Sequence, residues 1–185
     1  DVGAALVDEI RRTVLQPAVD GMAARGTPYI GVLYAGILLT AAGPRVLEFN
    51  ARMGDPETQP LMLRLASDVV PALLGAARGD LSGVSLEFDA RAAVGVVLAA
   101  EHYPAKPVAG DVIEGADGPF EPGVQVFHAG TRHRADGRLV TAGGRVLTVC
   151  ALGVDVPDAA RRAYAAAGRI HFRGQHHRND IGKRP

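Results

Sequence analysis

Residues 44–59, Pro-Arg-Val-Leu-Glu-Phe-Asn-Ala-Arg-Met-Gly-Asp-Pro-Glu-Thr-Gln, constrain the fold of this chain more than any other segment. Side chains alternate across a β-strand, so an extended reading sends Leu47 and Phe49 into apolar packing and Glu48, Asn50 and Arg52 to the opposite face. Few core strands tolerate three such polar neighbours, so this one borders a site or a solvated sheet face. Upstream, residues 29–40 are an apolar run and Ala41-Ala42-Gly43-Pro44 has turn chemistry, so the two strands read as one long hairpin. Downstream, Gly54-Asp55-Pro56 turns the chain and carries Asp55 and Glu57 back toward the strand end before a helix from about Pro60.

A carboxylate and an amide oxygen two residues apart on one face can both reach one hard cation. A Mg²⁺ ion held by one or two protein oxygens and by phosphates needs little more from the protein. Arg52, one pleat further on, can hold a carboxylate or a phosphoryl oxygen. The same three residues also suit a plain solvated face on which Arg52 pairs with Glu48.

Further motifs separate these readings. Gly31-Val-Leu-Tyr-Ala-Gly36, the run from Glu48 to Gln59, His128-Ala-Gly-Thr131, Gly143-Gly-Arg-Val-Leu147 and Asp180-Ile-Gly182 occur in that order. Together they resemble the glycinamide ribonucleotide synthetase family over essentially the whole chain. Several spaced motifs are far more specific than one.

The resemblance implies an α+β fold. Residues 1–79 are expected to form the C-terminal part of an ATP-grasp domain, an antiparallel sheet with helices. Residues 80–185 are expected to form a small, mostly antiparallel β C-terminal domain with a helix. It also implies a reaction in which ATP phosphorylates the carboxylate of glycine and 5-phosphoribosylamine attacks the acyl phosphate. Glu48 and Asn50 then match metal ligands for Mg²⁺ or Mn²⁺, and Arg52 a residue near the transferred phosphoryl or acyl group. Asp55 and Glu57 either bind an ammonium or ribose hydroxyl of a substrate or cap the following helix, whose dipole favours negative charge. The wider superfamily places an acidic ligand on the preceding strand. Residues 34–38 offer none, a feature this family shares. The partners implied are ATP, glycine, 5-phosphoribosylamine and a missing N-terminal half with its phosphate-covering lid, without which the chain is expected to be inactive. Two other readings share the features: another ATP-grasp carboxylate ligase or biotin-dependent carboxylase component, and a non-catalytic docking module.

Lys plus Arg equals Asp plus Glu at 20 each, which argues against nucleic acid or an anionic membrane as the main partner. Gly, Pro or charge interrupts every apolar run short of a membrane span, and no signal peptide is visible. The lone Cys150, in an apolar strand, fits a reducing cytoplasm.

Along the chain, an opening helix has Asp1 as N-cap and a break near Pro17. A helix over residues 60–78 carries the stripe Leu61, Leu65, Val69 and Leu73, with a kink at Pro71, and ends in a turn at residues 79–83. Strands are expected at 92–100, near 112, and at 124–129, 139–142 and 145–152, with hairpin turns at Asp136-Gly137 and Gly143-Gly144 and a helix over 157–170. The Gly143-Gly144-Arg145 turn suits either close approach to a ligand or tight turn geometry. His128 suits either a nucleotide contact or a hydrogen bond across the sheet, and the structural role is the one favoured. The adjacent His176 and His177 face opposite ways and make a poor metal pair, and with Arg173, Arg178, Lys183 and Arg184 they form a solvated basic tail.

Overall fold

The computed structural model describes residues 2–183. Two compact units interleave in sequence. One holds the chain up to Gly54 together with Asp68–Leu86, the other Asp55–Ser67 together with the chain from Glu87 onward. The chain therefore passes between the units three times, whereas the family-domain reading cuts it once at residue 79.

In the first unit, helix α1 (Ala4–Ile10) runs through a π-helical turn, Arg11–Leu15, into α2 (Gln16–Ala24). Asp1 lies outside the described residues. Gly3, in extended conformation, takes the N-cap position without a side-chain bond. Pro17 does not break the helix. It sits in the first turn of α2, directly after a π-helical turn closed by Gln16 N–H donating to the Arg11 carbonyl. A proline has no N–H and its ring crowds the carbonyl four residues back, so a widened turn accommodates it. Strands β1 (Tyr34–Thr40) and β2 (Gly43–Asn50) form the expected antiparallel hairpin. The Thr40 hydroxyl fastens its turn, accepting from Ala42 N–H at 3.2 Å and donating to the Gly43 carbonyl at 2.8 Å. The register slips between Gly36 and Ile37, leaving Leu47 as the extra residue of a β-bulge. The apolar packing expected for Leu47 and Phe49 is not found among the described residues: they are 68% and 47% exposed.

The single helix expected over 60–78 is two, α3 (Thr58–Arg64) and α4 (Val70–Arg78), and they belong to different units. Leu65 turns extended and bridges to Phe88, which ends α3. Pro71 then lies in the first turn of α4, where its missing N–H costs nothing, so it starts a helix instead of kinking one. Gly79, at φ 73°, closes α4 in the left-handed conformation. The expected stripe is split accordingly, with Leu61 and Leu73 exposed.

The second unit is built on β7 (Arg145–Gly153), the middle strand of an antiparallel sheet ordered β3-β7-β4, with β3 at Ala92–Ala99 and β4 at Val124–His128. Val146 to Leu152 are all buried. Alternation sends Leu147, Val149 and Ala151 of β7, with Val94, Val96 and Leu98 of β3, into the core formed with α5 (Val156–Ala167). Thr148 and Cys150 take the opposite face, beside Gly95 and Pro60 of α3, and a side chain at Gly95 would press on them. Covered on both faces, β7 reads as a continuous apolar run. Helix α5 starts at Asp155, whose carboxylate accepts from Asp158 N–H at 2.8 Å, with Pro157 in the first turn. Its buried stripe is all alanine, residues 159, 160, 163, 166 and 167, which allows close approach to the sheet.

A second small sheet pairs β5 (Thr131–His133) with β6 (Leu139–Thr141) through the Asp136-Gly137 turn. Gly143-Gly144 is not a hairpin turn, because β6 and β7 belong to different sheets. The expected strand near Val112 is an isolated bridge to Val140.

Candidate active site

The donors on β2 come first. Glu48 and Asn50 share a face, and Asn50 Nδ2 donates to Glu48 Oε1 at 3.0 Å. The register sets Gly36 opposite Glu48, and a Cβ at Gly36 would lie 3.2 Å from Glu48 Cγ. The glycine therefore leaves room for the carboxylate stem to lie across β1. Asn50 also lines a cavity of about 330 Å³ within the same unit, whose other walls include Val19, Met22, Tyr29, Leu33 and Phe49. Arg52 is not on the strand, which ends at Asn50, and its guanidinium donates to the Met53 carbonyl at 2.9 Å. Strand alternation is therefore not what places Arg52. Among the described residues no three His, Cys, Asp or Glu side chains gather to hold a metal, so one carboxylate and one amide are the hard oxygen donors on this face.

In the second unit the segment before α3 carries Asp55 and Glu57. Glu57 occupies the N-cap position of α3 without a side-chain cap bond. Asp55 does not turn to the helix N-terminus: Gln59 Nε2 donates to its Oδ1 at 3.3 Å, and Arg145 Nη2 approaches its Oδ2 at 3.2 Å. Arg145 also donates from Nη1 to the Asp55 carbonyl at 3.2 Å, and its Cζ stands 6.0 Å from the centroid of the Tyr103 ring. The glycines before Arg145 are needed for packing: a Cβ at Gly144 would come within 2.3 Å of that ring, and one at Gly130 within 2.7 Å of Gly143.

His128 Nδ1 lies 3.2 Å from the Thr131 hydroxyl, and His176 pairs with Ala99 through backbone bonds. The basic tail is partly paired, Arg173 with Asp111 and Arg178 with Asp180, while Arg184 lies outside the described residues. Sequence reasoning missed Gly36, Gln59 and the Arg145 to Asp55 contact. The first was available from the hairpin register; the last joins residues 90 apart and leaves no local pattern.

Family models described as Phosphoribosylglycinamide synthetase, ATP-grasp (A) domain, and Phosphoribosylglycinamide synthetase, C domain, match residues 2–58 and 93–184. The chain belongs to the phosphoribosylglycinamide synthetase family. Among its relatives is a phosphoribosylamine–glycine ligase of Caulobacter vibrioides, 53% identical over 97% of this chain and 42% of that protein. One from Xylella fastidiosa is 48% identical over the same shares. The crystal structure of phosphoribosylamine–glycine ligase from Thermotoga maritima superposes with a TM-score of 0.75 at 35% identity, over 95% of this chain and 42% of that one. The biotin carboxylase subunit of pyruvate carboxylase, at 19% identity and a TM-score of 0.60, shares the fold. The chain thus spans about two fifths of the length of the family members it matches. Glu48, Asn50, Arg52 and Asp55 fall in the ATP-grasp match and Arg145 in the C-domain match, so the Asp55–Arg145 pair joins residues of the two family regions.

Proposed function

We propose that the protein carrying this chain ligates glycine to 5-phosphoribosylamine, with ATP converted to ADP and phosphate through a glycyl phosphate, and releases glycinamide ribonucleotide. One observation carries the reading: a carboxylate and an amide in contact on β2, with a glycine opposite the carboxylate that makes room for it, in a chain of this family. Their oxygens fit Mg²⁺ or Mn²⁺, both hard cations, with phosphate oxygens completing the coordination. Such an ion supplies charge neutralisation at the transferred phosphoryl group. Arg52 stabilises charge at the same group, and Asp55 and Glu57 contact substrate. Residues 1–79 are the closing part of the ATP-grasp domain and residues 80–185 the C-terminal domain.

The other partner is the remainder of the enzyme, preceding this chain. The relatives' greater length supports this. No helix among the described residues is long and apolar enough to cross a membrane. With the buried thiol of Cys150, that fits a cytoplasmic enzyme.

The test uses the complete enzyme. Phosphate release that requires both glycine and phosphoribosylamine supports the reading, and release driven by bicarbonate and biotin sinks it. Glu48→Ala should lower kcat on the order of 10²-fold and raise the metal concentration needed, since a charge aimed at the reacting phosphates is lost. Unchanged activity with unchanged metal dependence removes Glu48 from the site.

A further inference from the structure

We propose that Arg145 is a positioning residue that sets the Asp55 carboxylate to receive the amino group of a substrate, an inference that rests on the ligase reading above. Asp55 is held from three directions. Arg145 engages Oδ2 with one nitrogen and the main-chain carbonyl of the same residue with the other, both at 3.2 Å, so the planar fork fixes side chain and backbone together. Gln59 Nε2 holds Oδ1 at 3.3 Å.

That last bond also orients Gln59, because a carboxylate can face only its NH₂ group. The opposite atom, Gln59 Oε1, is buried and meets no donor among the described residues. Buried acceptors are almost always satisfied, and Gln59 Oε1 is short of a donor among the described residues. A carboxylate oxygen offers two lone-pair directions, so Oδ1 and Oδ2 can each accept beyond the bonds to Gln59 and Arg145. A fixed, part-exposed carboxylate favours a cationic donor with several N–H groups, which is the chemistry of an ammonium or primary amine.

Arg145 is itself fixed. Its Cζ stands 6.0 Å from the Tyr103 ring centroid, and that ring is seated where Gly144 has no side chain. Stability does not account for the arrangement. The two side chains are 38% and 41% exposed, and an ion pair in that setting adds little to folding. What a fork, an amide and a ring provide at such a place is aim.

The experiment uses the complete enzyme, with ATP, glycine and phosphoribosylamine each varied, for wild type, Arg145→Met, Arg145→Lys, Asp55→Asn and the double variant Asp55→Asn/Arg145→Met. Arg145→Met should raise KM for one of the two amino-bearing substrates on the order of tenfold or more, with KM for ATP unchanged within about twofold. Arg145→Lys, which keeps the charge and loses the fork, should recover part of the loss. In the Asp55→Asn background Arg145→Met should add less than about twofold, because one residue acts through the other.

A merely structural arginine would lower kcat in proportion to the folded fraction and leave every KM alone. That result, unchanged constants, or an equally large effect without the Asp55 charge overturns the proposal. If Arg145→Met does not fold, the same cycle with Arg145→Lys decides. A wild type that releases no phosphate with glycine and phosphoribosylamine sinks the ligase reading and this inference with it; an active wild type with insensitive variants sinks the inference alone.

Discussion

The two compact units are opposite in burial, and the less buried one is not the less apolar in sequence. Every buried apolar side chain among the described residues lies from Val94 onward, in the unit organised by β7. The unit holding Glu48 and Asn50 instead exposes Met22, Leu38, Leu39, Leu47, Phe49 and Leu73, and carries a cavity of about 330 Å³ against Phe49. The cause is coordination, not composition. β7 has a strand on each side and packing on both faces, whereas β2 pairs with β1 alone in a two-stranded sheet, an arrangement that is marginal by itself. An apolar strand becomes a core strand only when something covers it.

Deleting the same side chain in each unit tests the contrast most strongly. Leu147, with no exposure, faces Leu98 across the sheet, and Leu147→Ala should cost about 2–5 kcal/mol. Leu47→Ala, at the exposed bulge, should stay within about 0.5 kcal/mol in this 185-residue chain. Denaturant titration measures both. Equal costs break the comparison, while a Leu47→Ala cost that appears only in the complete enzyme sharpens it by locating the missing cover.

Thiol chemistry gives a second, more local reading. Burial pushes the Cys150 thiol up to about 12, so it stays protonated at neutral pH and unreactive in the folded chain. A thiol reagent should label Cys150 only as fast as the unit unfolds. A cysteine introduced by Leu47→Cys, in a Cys150→Ala background, should react nearly as fast as a free peptide thiol. Rapid labelling of native Cys150 would falsify the packed-core assignment for the second unit.

How much of this was legible follows the same line. The hairpin, the strands at β3, β4, β6 and β7, and α5 all announce themselves through period, turn residues or an Asp-x-Pro start, which are local properties. Pro17 and Pro71 were misjudged because a proline marks only a missing donor. Whether it breaks, widens or begins a helix depends on the turn before it, and here a π-turn and a first turn absorbed it. The split between α3 and α4 was hidden because Leu61, Leu65, Val69 and Leu73 keep helical spacing through a break that Leu65 makes by pairing with Phe88. At the candidate site, Glu48 and Asn50 could be placed on one face by alternation. Arg52 could not, since the strand ends before it, and the hold on Asp55 depends on a guanidinium from a distant strand.

The smallest expected effect concerns charge. Asp89 sits just before β3, and Arg91 engages its carboxylate through Nε at 3.0 Å, Nη2 at 2.5 Å and its own N–H at 2.9 Å. These bonds hold the carboxyl down to about 2, from an ordinary value of 3.8. A group whose folded value is depressed stabilises the fold above the unfolded value, and that contribution fades as pH falls from about 3.8 toward 2. Asp89 also ties elements together, since the Arg64 guanidinium of α3 donates to its carbonyl at 2.8 and 3.1 Å. Asp8 of the first unit is likewise lowered by its bonds to Arg11 and Arg12, but those partners lie on the same helical run and join nothing distant. Asp89→Asn should therefore move the acid unfolding midpoint of the second unit, followed by the amide signals of β3 and β7, and the difference from wild type should vanish below about pH 2. Asp8→Asn should leave those signals unmoved. The shift is expected to be slight because both pairs lie at the surface, where pairing contributes little. A shift of those signals by Asp8→Asn would mean that the two units unfold as one, and that the difference in burial between them does not make them independent.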